Sequence, residues 1–300
     1  MKKMVFSLFA LMLLVSCSAT PIETLTRTTT PVTKTETVTT TSGDTITTTK
    51  EKEMLVSDIK ENEYNKLLDY YFQKLRSFKS YKAITSGKTS TQVLFISTDQ
   101  SIEVTLIKSD YSYMINESHS SLVNTVHEVY FHNNKALYKD NNAEDFTLLS
   151  LNDYLSIYGV YPFDYALEGY LTGEGCILNI TKLESEENYK FKFDFSPVLA
   201  TNNVKIQMKK FGDLDDYPIF SDISIVLSLK NDFTPVSIEL ESHYKAKKMV
   251  ETDCHQKYTV LFSNFNEEIE TPNLSNIKEK LNWKILEAFA SFFLGLFTSK

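Results

Sequence analysis

Residues 220–242 read FSDISIVLSLKNDFTPVSIELES, and this stretch indicates the fold class more directly than any other. Isoleucine or leucine occupies every second position from 223 to 229, a turn signal follows at 231–235, and the alternation resumes from Val236 to Leu240. A period of two puts the apolar side chains on one face of a strand, as in antiparallel sheets with one solvated face. The stretch therefore predicts two antiparallel strands joined by a turn.

The same alternation recurs over most of the chain between residues 93 and 262. The further stretches with apolar residues at every second position are 93–95, 102–106, 111–115, 129–131, 189–195 and 258–262. Asn133-Asn134 follows one of them, and asparagine tolerates the positive φ angles that a two-residue hairpin turn requires. We therefore predict a large antiparallel sheet with a β-hairpin at Asn133-Asn134.

A helix is predicted before the strands, over about Met54 to Phe78. Its apolar residues recur at spacings of three and four and form one stripe, which indicates a helix packed against the sheet. Two shorter helical interruptions are predicted at Asn152–Leu171 and at about Pro197–Lys210. Helices combined with an antiparallel sheet give an α+β fold class.

The N-terminal residues resemble a bacterial lipoprotein signal peptide. A positive start precedes the run from Met4 to Val15, whose twelve residues are mostly apolar and too few to span a bilayer. Leu14-Val15-Ser16-Cys17 is similar to the lipobox, in which the cysteine thiol receives a diacylglyceryl group and the preceding residues are removed. The resemblance implies removal of residues 1–16 and palmitate-type acyl chains on Cys17. The alternative is a plain signal peptide with an incidental cysteine.

A lipidated Cys17 would anchor the protein to a membrane of the cell envelope, on its extracytoplasmic side. Each buried CH₂ group of an acyl chain contributes about 0.8 kcal/mol, and two or more chains give stable anchoring. Residues 17–50 follow as a threonine-rich segment with almost no large apolar side chains. Such a segment cannot bury enough surface to fold, so we predict a disordered tether. A β-stalk is the alternative, because threonine favours strands.

The chain is acidic, with a formal net charge of −8 at pH 7. Removing residues 1–16 takes away two of the 31 basic residues and none of the 39 acidic ones, which leaves a charge of −10. No clusters of lysine and arginine stand out. We therefore expect no nucleic-acid binding, and membrane attachment through lipid rather than through charge.

Two cysteines besides Cys17 occur, at positions 176 and 254. In an exported protein whose Cys17 carries lipid, these two form the remaining pair, and the environment permits oxidation. We predict a Cys176–Cys254 disulfide. Two buried free thiols are the alternative.

Three stretches resemble the LolA/LppX-like domains of bacterial lipoproteins. They are YNKLLDYYFQKLRSFKSYKA at 64–83, the strand pair at 220–242, and YTVLFSNFNEEIETP at 258–272. The resemblance covers about 54–272, within a β-rich domain predicted at 51–272. It implies a curved antiparallel sheet, a half-barrel or open barrel, wrapped over helices, and in some members an acyl chain held in the concavity. The candidate lining is the aromatic face of Phe191, Phe193 and Phe195. An ordinary core is the alternative.

The tail at 273–300 departs from these domains and is predicted to form an apolar helix. A narrow polar stripe interrupts an otherwise apolar surface that includes Phe289, Phe292 and Phe293. The run is too short and too charged to span a bilayer. It could be buried in the concavity of the domain, in the membrane interface, or against a partner. We favour the concavity, which makes the three phenylalanines further candidates for ligand contact.

Motifs that carry catalysis or metal binding are missing from the sequence. The five histidines have no metal-binding spacing, and no P-loop, nucleophile elbow or EF-hand loop is present. We therefore expect a protein without catalytic residues, metal or cofactor. The expected function is a lipid-anchored envelope protein that binds a lipid or an acyl chain. The alternative is a structural or adhesive surface lipoprotein with a filled core.

Overall fold

The strands of the computed structural model form one large sheet and one small ribbon. The structure describes residues 33–38, 48–93, 96–121, 124–141, 143–158, 174–212, 214–278 and 280. The strands of the large sheet are β3 (Tyr81–Val93), β4 (Ile96–Lys108), β5 (Ser112–Ser120), β6 (Asn124–His132), β7 (Lys135–Asp140), β8 (Thr147–Ser150), β9 (Ile177–Leu183), β10 (Tyr189–Phe195), β11 (Ile219–Leu229), β12 (Pro235–Lys248) and β13 (Val250–Ser263).

The large sheet is antiparallel, curved and open. Its strand order is β8-β7-β6-β5-β4-β3-β13-β12-β11-β10-β9, so strands that follow each other in the chain are neighbours in space almost everywhere. The exception is β8 and β9, which follow each other in the chain but lie at opposite edges of the sheet. The two halves of the sheet join at its centre, where β13 pairs with β3 and aligns Val260 with Thr85. The short β8 and β9 form the two edges. This architecture agrees with the open barrel that the LolA/LppX resemblance implies.

Both predicted turns are present. Asn133 and Asn134 link β6 to β7 with φ angles of 46° and 58°, the left-handed values of a two-residue hairpin turn. The turn between β11 and β12 places Phe233 at a φ of 62°. This conformation is costly for a bulky residue, but the Phe233 ring is buried and packs against Tyr70 at 5.2 Å between ring centroids.

The predicted helix over Met54–Phe78 is shorter than expected. Only α1 (Leu67–Ser77) is α-helical, and 3₁₀ turns at Val56–Asp58 and Glu61–Lys66 precede it. The backbone N–H of Val56 donates instead to the carbonyl of Asn231, at 2.7 Å. This bond ties the segment to the turn between β11 and β12 and takes the place of helical hydrogen bonds.

The two helical interruptions are also present in part. They are α2 (Leu151–Tyr158) and α3 (Asn202–Gly212), and the remainder of the predicted first interruption lies outside the described residues. One large core cluster joins α1, Tyr154 of α2, and Val204 and Met208 of α3 to the same face of the sheet. We call this face the inner face and the opposite one the outer face.

Part of the threonine-rich segment is described as a small two-stranded ribbon. Strand β1 (Thr33–Val38) pairs antiparallel with β2 (Thr48–Glu53), and this ribbon is separate from the large sheet. Threonine has a high strand propensity, which favours such pairing even without a core. Whether residues 17–50 act as a disordered tether or as a β-stalk stays a prediction.

The predicted Cys176–Cys254 disulfide is not formed, and both residues are buried free thiols. Cys254 lies on β13, whereas Cys176 precedes β9, four strand spacings away. Four spacings correspond to roughly 19 Å along the sheet. A disulfide requires Cα atoms within about 7 Å. The alternative of two buried thiols describes the structure.

Candidate functional site

The inner face of the sheet is the candidate site, and its β10–β12 part is aromatic and aliphatic. Strand β10 places Phe191, Phe193 and Phe195 there, with exposed fractions of 1%, 0% and 2%. The register pairs Phe191 with Leu227 and Phe193 with Ile225 on β11. The structure thus brings the three predicted lining residues together on one surface.

This aromatic surface is covered by side chains of the chain itself. The ring of Tyr64 meets that of Phe191 edge-on, with 5.0 Å between centroids. Phe193 and Phe195 also belong to the core cluster that contains α1 and α3. Their contact with a ligand therefore stays a prediction, and a chain entering here would have to share this surface with the helices.

Polar side chains occupy the inner face on the other strands, and we call them the polar belt. They share inner-face positions on β12, β13 and β3–β6 and burial to 7% exposure or less. The members of the belt are Thr85, Thr89, Gln100, Ser112, Asn116, Ser118, His127, Ser242, Thr252 and Gln256. The register connects them, since Gln256 aligns with both Ser242 and Thr89, and Asn116 aligns with His127.

Neighbouring members of the belt satisfy one another by hydrogen bonds. The Gln256 Nε2 amide donates to Ser242 Oγ at 2.8 Å, and the Gln100 Nε2 amide donates to Ser118 Oγ. Thr89 shares a hydrogen bond with the hydroxyl of Tyr258. The belt therefore contains hydrogen-bonded pairs that link adjacent strands.

His127 links the belt to helix α2. Its Nδ1 lies 2.5 Å from Asp140 Oδ1, and its Nε2 lies 2.7 Å from the hydroxyl of Tyr154. Burial, followed by the charge of Asp140, raises the pKa of Tyr154 well above its usual value. The tyrosine thus stays protonated and can donate to Nε2, while the Nδ1–H of the histidine donates to the carboxylate.

Some oxygens of this region have no hydrogen-bond partner in the part of the chain that the structure describes. They are Asn116 Oδ1, Gln256 Oε1 and, beside the belt on β6, Thr125 Oγ1, all inaccessible to solvent. Leaving a buried polar atom unsatisfied costs about 1–3 kcal/mol. These atoms therefore mark places where a hydrogen-bond donor would be bound favourably.

The outer face is solvated except where the chain beyond β13 covers it. Ile277 packs in a second cluster with Ile107, Tyr113, Tyr130 and Leu137. The Tyr130 hydroxyl donates to the carbonyl of Pro272 at 3.0 Å. The described part of the tail, through residue 280, thus begins on the face opposite to the predicted plug position.

Lysines extend this covering of the outer face. The ammonium groups of Lys278 and Lys280 lie 4.8 and 5.3 Å from the ring centroids of Tyr111 and Phe146. Cation–π contacts of this kind add to the burial of Ile277. Most of the predicted apolar helix at 273–300, including Phe289, Phe292 and Phe293, lies outside the described residues.

The polar belt was not identified from the sequence. The apolar alternation of Tyr111, Tyr113 and Ile115 at and before the start of β5 belongs to the outer-face cluster. The inner positions of that strand are Met114, Asn116 and Ser118, which read like a solvated face. The sequence signal that could have revealed the belt is a strand with apolar residues on both faces, on which polar residues share a face with Met114.

Three other predictions can be placed only in part. Cys17 and the signal peptide lie outside the described residues. Among the residues that are described, no group of three or more histidine, cysteine or acidic side chains could hold a metal ion. The helices in the same part of the chain are all too short or too polar to cross a membrane.

Comparisons with known proteins do not assign this chain to a family. No family model matches the chain, and no curated protein matches it. Among solved structures, the ywiB protein from Bacillus subtilis aligns with a TM-score of 0.21 and 9% identity over 62% of this chain and 94% of its own.

Two further structures align over similar lengths. A LolA superfamily protein from Nitrosomonas europaea has a TM-score of 0.27 and 10% identity over 69% of this chain and 94% of its own. A DUF1329 family protein from Desulfovibrio piger has a TM-score of 0.25 and 8% identity over 70% and 95%. Alignments this weak assign neither a family nor an activity, so function has to be argued from the inner face.

Proposed function

We propose that this protein is a membrane-anchored, extracytoplasmic binding protein that holds a hydrophobic ligand, a lipid or an acyl chain, against the inner face of its sheet. One observation carries the proposal: an aromatic surface and unsatisfied buried oxygens share the same covered face. A core that serves stability alone gains nothing from an unpaired amide oxygen, because each one lowers the free energy of unfolding. A ligand that supplies apolar area and a donor would use both features.

The anchoring part of the proposal rests on the sequence. Lipidation of Cys17 would fix the chain to the envelope membrane, and residues 17–50 would separate the domain from the bilayer surface. The binding part needs no catalytic group, and we propose binding without catalysis. An acyl chain would lie along Phe191, Phe193 and Phe195, between the sheet and the helices.

A second candidate function has an observation in its favour. The phenylalanines of β10 are already covered by Tyr64 and by the helices, as in a filled core. A structural or adhesive surface lipoprotein would need no more than this. The two candidates differ in whether the inner face admits a chain.

Native mass spectrometry of the Cys17→Ala variant separates these candidates, because this variant carries no covalent lipid. After removal of endogenous lipid, the folded protein is incubated with oleate and with methyl oleate. The proposal predicts a one-to-one adduct with at least one of them. The absence of any adduct at ligand concentrations up to the solubility limit would favour the structural alternative.

A further inference from the structure

The unsatisfied oxygens of the inner face indicate the chemical class of the ligand's polar head group. We infer that Asn116 and Thr125 bind a neutral, hydroxyl-bearing polar head group of an amphiphile whose hydrocarbon chain lies against the inner face. The inference rests on the proposed function and adds the chemical class of the ligand and the position of its head.

Asn116 Oδ1 and Thr125 Oγ1 lie close enough to bind one head group. Asn116 faces His127 across the β5–β6 pair, and Thr125 faces Ser118, so the two residues are diagonal neighbours on one face. Diagonal residues of an antiparallel pair are roughly 7 Å apart. The Asn116 side chain is only 2% exposed, and both oxygens are inaccessible to solvent. A pair of adjacent hydroxyl groups can span such a gap.

The chemistry of the unpaired atoms favours donors. An amide oxygen only accepts hydrogen bonds, so the ligand has to present O–H or N–H groups to Asn116. An ester offers oxygens alone and leaves Oδ1 unsatisfied. A hydroxyl satisfies the amide oxygen and can also accept from the threonine hydroxyl.

The charges around the site disfavour an ionic head. The polar belt contains no lysine or arginine, and its one imidazole is engaged by Asp140 at 2.5 Å. A carboxylate or phosphate at Asn116 would therefore be buried without a countercharge, which is costly. A cationic head group would also be buried without a free countercharge, because the Asp140 carboxylate is already paired with His127. A glycerol or sugar hydroxyl carries no such penalty.

The inference is tested with three probes that share one chain: 1-oleoylglycerol, methyl oleate and oleate. Their affinities for the Cys17→Ala protein are measured by displacement of a fluorescent fatty acid. We expect 1-oleoylglycerol to bind at least about tenfold more tightly than methyl oleate, because it alone donates to the buried oxygens. Equal affinities for all three probes would overturn the head assignment and leave chain binding intact. Binding of none of them would overturn the proposed function itself.

Two matched variants locate the head. Asn116→Leu removes the unpaired oxygen, and we expect it to abolish the preference for 1-oleoylglycerol while methyl oleate still binds. Its thermal midpoint without ligand should equal or exceed that of the parent, because an unsatisfied buried group is replaced by an apolar one.

Gln256→Leu is the control, since Gln256 is equally buried and also has an unpaired oxygen but lies three strands away on β13. This variant should keep the preference. Loss of the preference in Gln256→Leu and its retention in Asn116→Leu would place the head elsewhere and contradict the inference.

Discussion

Gly87 shows at the residue scale how the centre of the inner face is built. A methyl group at this position would lie 2.7 Å from the Tyr258 Cα and closer still to the Lys257 carbonyl and the Tyr258 ring. The missing side chain thus lets the Tyr258 ring cross β3, where its hydroxyl reaches Thr89 in the polar belt. Glycine is used here for close approach and not for an unusual φ angle.

Replacing Gly87 by alanine should therefore destabilise the domain. Overpacking of this kind costs about 2–3 kcal/mol, and here backbone atoms would also have to move. Urea unfolding measures the change. Ser86→Ala, at an exposed position one residue earlier on the strand, should change the free energy of unfolding by less than about 0.5 kcal/mol. A Gly87→Ala domain as stable as this control would contradict the described packing.

The buried thiol of Cys254 gives a second prediction at this scale. Burial raises its pKa from 9.0 to about 12, with a smaller contribution from Asp253 and an opposing one from a hydrogen bond with Tyr244. Almost no thiolate is present at pH 8, so iodoacetamide should not modify Cys254 in the folded protein. Modification should follow unfolding in guanidinium without any reductant. A requirement for reductant would instead reveal a disulfide.

The same pKa shift contributes to the pH dependence of stability. Because the folded pKa is the higher one, the unfolded thiol loses its proton first as the pH rises. The contribution is complete below pH 9 and disappears as the pH rises toward 12. Cys254→Ala should therefore lose less stability than the parent over this interval.

Individual residues also show what the sequence could and could not predict. The alternation over 189–195 and 223–229 identified inner-face residues correctly, because only one face of those strands is apolar. On β5 both faces are apolar in part, with Met114 inside and Tyr113 outside. Periodicity shows that two faces differ, whereas their orientation is set by packing between distant elements. Asn116 and Ser118 were missed for this reason.

At the scale of elements, the segment that follows β13 determines how part of the outer face is covered. It crosses to the outer face and fixes Ile277, with an exposed fraction of 2%, among residues of β4–β7. The sequence predicted an apolar helix in this region, but no local pattern specified which face of the sheet it would meet. Which face the segment meets depends on how far the chain can extend from the end of β13.

Ile277→Ala should reduce the stability of the domain by about 2–4 kcal/mol, because it opens a cavity in the outer-face cluster. The exposed residue Ser275 provides the control, and Ser275→Ala should have little effect. Both variants can be compared by thermal unfolding. If Ile277→Ala unfolds like the control, the tail is not held on the outer face.

Secondary structure was predicted well where the pattern was long. The Asn133-Asn134 hairpin and the pair β11–β12 were both identified from turn residues and alternation. The helix at 54–78 was predicted too long, because residues 55–58 bond to the β11–β12 turn, which lies far away in the sequence. Long-range hydrogen bonds of this kind leave no local signal.

The curved sheet and its helix-covered inner face characterise the molecule as a whole. Eleven strands form an open sheet whose edges are short, and the described helices contribute to one cluster on its inner face. An open sheet with a covered face can admit a ligand by movement of the helices without breaking strand pairs. The fold class was predictable from the sequence, whereas the polar belt required the register of six strands.

Anchoring of the protein to the membrane through a lipidated Cys17 is a prediction at the scale of the whole molecule. The Cys17→Ala variant should leave the membrane fraction and keep residues 1–16, because neither acylation nor cleavage can proceed without the thiol. The wild-type chain should partition into detergent in phase separation with Triton X-114. A variant that remains fully membrane-bound and uncleaved would contradict lipid anchoring.

The central claim is that the inner face receives a hydrocarbon chain, and photocrosslinking tests it most directly. A fatty acid with a diazirine on its chain is bound to the folded Cys17→Ala protein, irradiated, and the labelled peptides are identified by mass spectrometry. We predict labels on inner-face residues of β10 and β13, competed by excess oleate. Labels confined to outer-face positions, or labelling that oleate does not compete, would contradict the claim.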